Sequence, residues 1–108
     1  AYELDTGNYV TWDNYLLAQC YQTSGEREKV IDVLEPLQHK NFFWWNLHLG
    51  LAYDSIEKYD IARKHLDFVK ISLKENHLSK IKFAFTKQNN HLNTYPYIIN
   101  SLKKYGFE

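Results

Sequence analysis

Residues 44–66 read WWNLHLGLAYDSIEKYDIARKHL, two apolar runs separated by a short polar break. In the first run Leu49 and Tyr53 are four residues apart, and in the second run Ala62 and Leu66 have the same spacing. Apolar residues three or four positions apart lie on one face of an α-helix. The stretch therefore predicts two amphipathic helices joined by a tight turn.

The same pattern recurs when the sequence is shifted by 32 residues. LAQCY at 17–21 falls on LGLAY at 49–53 and on IKFAF at 81–85, each reading aliphatic, two variable residues, small, aromatic. The second run of each unit also aligns, if four extra residues are allowed before the third unit's second run. The aligned sets are Val30, Leu34 and Leu37; Ala62, Leu66 and Val69; and Ile98, Leu102 and Tyr105. A period in the thirties with two helices in each unit predicts a helical solenoid.

The helix boundaries follow from the same alignment. Helices are predicted at 10–23, 26–38, 42–55, 58–73, 77–88 and 95–105, with no strand. Gly25 and Asn89 stand where a residue in the left-handed conformation commonly ends a helix, and Glu57 holds this place in the middle unit. Pro36 falls late in its helix and is expected to shorten or kink it.

These residues resemble the tetratricopeptide repeat family, whose pattern is W-x2-L-G-x2-Y followed by A-x3-F. Leu49, Gly50 and Tyr53 match the L-G-x2-Y segment, whereas Trp45 lies one place from the family's tryptophan. The first unit matches with Leu17, Ala18, Tyr21, Gly25, Val30 and Leu34. Lys82 departs from the pattern, because a small residue is expected there, so the third unit is degenerate. The resemblance implies an all-α, right-handed solenoid of helix-turn-helix repeats with a capping helix at its C-terminal end.

On this interpretation residues 1–108 form one domain. Residues 1–8 resemble the end of a preceding repeat, 9–40 form repeat 1, 41–73 repeat 2, and 74–108 a degenerate repeat 3 with the capping helix. The chain contains no methionine, so it is expected to be a fragment of a larger protein. Its last forty residues resemble the closing segment of bacterial repeat-bearing signalling proteins, such as winged-helix regulators and nucleotide cyclases. The matching positions are Ile99, Leu102, Lys103, Lys104 and Gly106.

Composition disfavours several classes of function. Thirteen basic and thirteen acidic residues cancel, so the chain has no net attraction for nucleic acid or an anionic membrane. No apolar stretch approaches the roughly 18–20 residues of a membrane span. Neither direct nucleic-acid binding nor membrane insertion by this domain is expected.

Side chains that could support catalysis are scattered along the sequence. No two of the five histidines are three or four residues apart, so no helix face offers a pair of imidazoles to a metal ion. Cys20 aligns with Ala52 and Ala84 and is expected to be a buried small apolar residue. The four glycines form no phosphate-binding loop. The sequence predicts a protein that is not an enzyme and holds no metal or cofactor.

The family resemblance implies that the first helix of each unit lines a concave groove. The positions carried over are Trp12, Tyr15, Gln19 and Gln22 in the first unit, Trp44, Leu47, His48 and Leu51 in the second, and Phe83 in the third. These positions contain no Lys or Arg that could clamp a carboxylate, so the groove is expected to be apolar and aromatic. It would bind a protein or peptide segment, or a second copy of the chain as a homodimer. The alternative is a self-association or structural capping segment with no external ligand.

Overall fold

The computed structural model describes the backbone of residues 2–87 and 96–108, and the side chains of residues 13–85 and 97–108. Every regular element in the described backbone is helical, which confirms the predicted all-α class. The α-helices are α1 (Tyr2–Ser24), α2 (Glu28–Leu34), α3 (Phe43–Ser55), α4 (Tyr59–Leu73), α5 (His77–Lys87) and α6 (Pro96–Lys104). A short 3-10 turn, Glu35–Leu37, continues α2.

The helix ends follow from local sequence. Gly25 has a φ of 93° and Glu57 a φ of 64°, so both adopt the predicted left-handed conformation. The α-helical geometry of α2 stops at Leu34, and Pro36 lies in the 3-10 turn that follows, as its missing N–H requires. Asn89 lies outside the described residues.

The first helix begins earlier than predicted. It starts at Tyr2 rather than near residue 10 and continues across the expected unit boundary after residue 8. Gly7 is tolerated there at the roughly 1 kcal/mol that an interior glycine costs a helix relative to alanine. The assignment of residues 1–8 to a preceding repeat stays a prediction.

Helices α3 and α4 approach each other closely at Gly50. A Cβ atom at this position would lie 2.6 Å from the Leu66 side chain, well inside van der Waals contact. Leu66 is itself fully buried and cannot retreat toward solvent. The glycine of the L-G-x2-Y segment is therefore required by the packing of this helix pair.

Two clusters of buried side chains form the core, and α3 contributes to both. The first cluster joins α1, α2 and α3 through Tyr15, Ala18, Val30, Leu34, Trp45, Leu49 and Ala52. The second cluster joins α3 to α4, α5, α6 and the C-terminal residues through Leu47, Leu51, Ala62, Leu66, Val69, Ile81, Phe85, Ile98, Leu102, Tyr105 and Phe107. Trp45 is structural, as predicted, and its indole N–H donates to the Leu34 carbonyl over 2.6 Å.

The prediction that Cys20 is buried is wrong, because its side chain is exposed. Helix α1 turns Ala18 and Gln22 inward instead, and Cys20 is two residues from each, on the opposite side of the helix. Its counterpart Ala52 is buried because α2 packs against that face of α3. No described element covers the corresponding face of α1.

We therefore expect Cys20 to react with an aromatic disulfide reagent at nearly the same rate in native buffer and in denaturant, since exposure sets thiol accessibility. The measurement is the release of the chromophore with time at constant pH. A native reaction that requires denaturant would place Cys20 inside the fold and contradict the orientation of α1.

Candidate functional site

The predicted groove centres on one face of α3. Leu47, Leu51 and Asp54 are spaced by four and three residues and lie on one side of this helix; we call them the inner stripe. Both leucines are fully buried, and Asp54 is only 5% exposed. The inner stripe is therefore covered by other parts of the chain.

Helix α6 contributes to that cover. It packs directly against α3, and its Ile98 and Leu102 belong to the same cluster as Leu47 and Leu51. Phe85 of α5 completes this cluster beside them. The family resemblance implies that this last helix caps the C-terminal end of the array, and the structure packs it against α3 of the middle unit.

Polar contacts fix the C-terminal end of α6 on α3. The Tyr105 hydroxyl donates to an Asp54 carboxylate oxygen over 2.8 Å, and Lys104 Nζ lies 3.1 Å from the same oxygen. Burial, with help from the bond to Asp54, raises the pKa of Tyr105 above its usual range. Lys70 Nζ donates to the Tyr105 carbonyl over 2.7 Å. Asp54 is thus a buried carboxylate that binds the end of the docked helix.

The N-terminal end of α6 reaches α1. The Tyr97 hydroxyl donates to the backbone carbonyl of Gln22 over 2.5 Å. The Arg27 guanidinium lies 4.8 Å from the centre of the Tyr97 ring. Gln22 is fully buried, yet its side-chain amide has no hydrogen-bond partner among the described residues. A buried, unsatisfied polar group costs about 1–3 kcal/mol. Helix α6 therefore contacts both α1 and α3.

Trp44 and His48 form an aromatic group next to the inner stripe. The Trp44 ring stacks on His48 at 5.6 Å and meets Phe85 edge-on at 5.3 Å. His48 was predicted to line the groove, but it is only 1% exposed. Burial lowers the pKa of His48 to about 4, so its imidazole is neutral at pH 7. Trp44 is half-buried and packs against both clusters.

The remaining predicted groove residues differ in burial and do not form one surface. Tyr15 is buried, with its hydroxyl 3.1 Å from His39 Nδ1 and its ring 5.2 Å from Phe42, so the α2–α3 connection covers it. Gln19 is half-buried, and Phe83 is exposed. The side chain of Trp12 lies outside the described residues. In this conformation a partner could not contact Tyr15, Leu47, His48 or Leu51, which corrects the expectation that they line an open groove.

Sequence reasoning missed Asp54 and Tyr105. Asp54 is the one carboxylate in α3, a largely apolar helix, and this is a usable signal for a polar contact at its end. Ile98 and Leu102 of α6 and Tyr105 just after it are spaced by four and three residues and mark an apolar face long enough to dock. Nothing in the sequence indicated which helix would receive this face.

Neither a metal site nor a membrane span is found in the described part of the chain. No group of three His, Cys, Asp or Glu side chains there could hold a metal ion. No described helix is both long enough and apolar enough to cross a bilayer. Comparison of the chain with protein-family models, curated proteins and solved structures finds no match.

Proposed function

We propose that the chain is a protein-interaction module of the tetratricopeptide type, a right-handed solenoid whose inner stripe receives an amphipathic helix. The observation that carries the proposal is the packing of α6, because its contacts indicate which side chains this face of α3 can bind. Leu47 and Leu51 offer apolar contact, and Asp54 accepts a hydrogen bond at one end. The 32-residue repeat and the L-G-x2-Y segment support the repeat type.

The partner helix should resemble α6 in its anchors. It would present two aliphatic residues four positions apart and a tyrosine three positions further, as Ile98, Leu102 and Tyr105 do. The tyrosine is the selective contact, because Asp54 is buried and a partner without a donor would leave its carboxylate poorly satisfied. Such helix-in-groove recognition concentrates affinity in a few anchors.

An external helix must compete with α6. A segment tethered to its own site has an effective concentration in the millimolar range, so α6 reduces the apparent affinity of any partner. The module is therefore self-occupied at rest and opens to a partner that carries better-matched anchors.

The test uses a fluorescent peptide with the sequence of residues 95–108 and the full chain. We expect it to bind the Tyr105→Phe chain about tenfold or more tightly than the wild-type chain, the effect of losing one hydrogen bond to a charged group in the tethered competitor. Fluorescence anisotropy gives the two dissociation constants. The matched control is Tyr59→Phe, the same change at an exposed tyrosine whose ring lies 5.5 Å from Lys104 Nζ; phenylalanine keeps that ring, so the peptide affinity should stay at the wild-type value.

A peptide that carries the same Tyr-to-Phe change should bind both chains about tenfold more weakly and keep the same ratio between them, because that ratio depends only on the tethered α6. If neither chain binds peptide at millimolar concentration while both melt cooperatively, α6 is a permanent cap and the proposal fails.

A second candidate function is self-association or structural capping with no external ligand. The occupied inner stripe favours it. If α6 stays permanently on α3, it acts as a structural cap and the site binds no external partner. If two copies exchange their α6 helices, the result is a homodimer. Light scattering over a range of protein concentrations distinguishes the dimer from the monomeric module. The resemblance of the tail to bacterial signalling proteins supports a place as the C-terminal module of a regulatory protein, acting on protein partners and not on nucleic acid directly.

A further inference from the structure

The residues that follow α6 turn back against α4 and α5; we call residues 106–108 the tail. Gly106 has a φ of 86°, the left-handed conformation that glycine adopts without strain. Its N–H donates to the Lys103 carbonyl over 3.1 Å, and the Phe107 N–H donates to the Leu102 carbonyl over 3.3 Å. This pair of bonds is the one that ends a helix at a left-handed glycine. The local sequence LKKYGF therefore fixes the direction in which the tail leaves α6.

Side chains at the end of α4 and the start of α5 receive the tail. Phe107 is only 4% exposed, and its ring lies 5.5 Å from the His77 ring and 6.0 Å from Lys70 Nζ. The same Lys70 amine donates to the Tyr105 carbonyl over 2.7 Å. The carbonyls in the last turn of a helix have no partner within the helix, so Lys70 satisfies one of them. Lys70 thus binds the end of α6 and lies beside the aromatic ring that follows it.

The last residue of the tail is bound through its main chain. The Glu108 N–H donates to His77 Nδ1 over 3.2 Å, and the Glu108 carbonyl accepts the Leu78 N–H over 2.8 Å. The Leu78 N–H lies in the first turn of α5, where amides have no partner within the helix. His77 Nε2 lies 3.1 Å from the Lys74 carbonyl, which leaves Nδ1 as the acceptor of a neutral imidazole. The Glu108 side chain is exposed, so these contacts do not select the residue type at this position.

We infer that Lys70, His77 and the Leu78 amide form a second binding site, the tail site, which recognises a glycine and an aromatic residue directly after the partner's docked helix. The site rests on the proposed function, because an external segment can reach it only after α6 and the tail have left. Glycine supplies the left-handed turn, and the aromatic ring supplies the contact with His77. The complete ligand is then an amphipathic helix that ends in a Tyr-Gly-Phe sequence, of which the inner stripe binds only the helical part.

Peptides that differ at one position of the tail test the site. Each has the sequence of residues 95–108 with an amidated end and competes with the fluorescent natural peptide for the Tyr105→Phe chain. Phe107→Ala should weaken binding at least about tenfold, as for the loss of an interface anchor. Gly106→Val should weaken it about tenfold, because a β-branched residue is strained at a positive φ. Glu108→Gln is the matched control and should bind within about twofold of the natural peptide, since its contacts are made by the main chain.

A variant of the chain shows whether the tail site accounts for the loss. His77→Ala removes the ring beside Phe107, so the ratio between the natural and Phe107→Ala affinities should fall at least about threefold. The chain's own tail competes equally with both peptides and therefore cancels from this ratio. His39→Ala is the matched control, because His39 packs beside Tyr15 in the first cluster, and it should leave the ratio unchanged. The peptide series gives its result even if His77→Ala does not fold.

Equal affinities for the natural, Phe107→Ala and Gly106→Val peptides would overturn the tail site and leave the inner stripe as the only binding surface for the helix. A ratio that His77→Ala leaves unchanged would also overturn it, since Phe107 of the peptide would then bind elsewhere. If the natural peptide does not bind at millimolar concentration, the proposed function and the tail site fail together.

Discussion

Replacing Leu49 by alanine is expected to lower the free energy of unfolding by about 2–5 kcal/mol, the range for truncating a fully buried leucine. Leu49 is 0% exposed and lies in the first cluster, where α3 meets α2. A domain of this size has a total stability of about 5–15 kcal/mol, so the loss would be a large part of the whole. Urea unfolding followed by circular dichroism measures it.

Leu17→Ala is the matched control, because the same residue stands at the same repeat position but is exposed. Its effect should stay within about 0.5 kcal/mol, as for surface substitutions in general. Equal losses for the two variants would mean that the exposure of the α1 face is wrongly assigned. A loss below about 1 kcal/mol for Leu49→Ala would remove it from the core.

Acidification should destabilise the fold through His48. Its pKa is lowered to about 4 in the folded chain, against an ordinary value of 6.5 when unfolded. Between these values the unfolded state binds more protons than the folded state, so stability falls as the pH falls from 6.5 to 4. At about 1.4 kcal/mol per unit, the full loss is about 3 kcal/mol.

The measurement is the free energy of unfolding in urea at several pH values across this window. His48→Leu removes the titrating group, so the proton uptake on unfolding should decrease by about one proton near pH 5. Burial also lowers the pKa of His65, so part of the slope should remain in this variant. A slope that His48→Leu leaves unchanged would show that His48 titrates normally in the folded chain.

Local features of the fold were predictable because their causes are local. Gly25 and Glu57 end their helices in the left-handed conformation, and Pro36 shortens α2, each for a reason within a few residues of the chain. The spacing of Leu49 and Tyr53 gave the correct face of α3 because α3 is flanked by helices on both sides. The 32-residue repeat predicts burial correctly where a unit has a neighbouring helix on each side.

The candidate site was less predictable because its cover comes from elsewhere in the chain. The alignment of Cys20 with Ala52 was sound, but burial depends on an adjacent helix that α1 lacks among the described elements. Leu47 and Leu51 lie on the expected face of α3, yet part of their cover comes from α6, which begins some 45 residues later in the sequence, at Pro96. Periodicity identifies the apolar face of a helix, but it does not identify the element that packs against that face.

Helix α3 is the one described helix that supplies fully buried side chains to both clusters. Stacked repeats are often approximated as independent units with nearest-neighbour coupling, so that an end can unravel while the remainder stays folded. Here the unfolding of α3 would remove buried packing contacts from both clusters at once. We therefore expect the two clusters to unfold as one cooperative unit, so that a perturbation on the α6 side of α3 also changes the stability of α1 and α2.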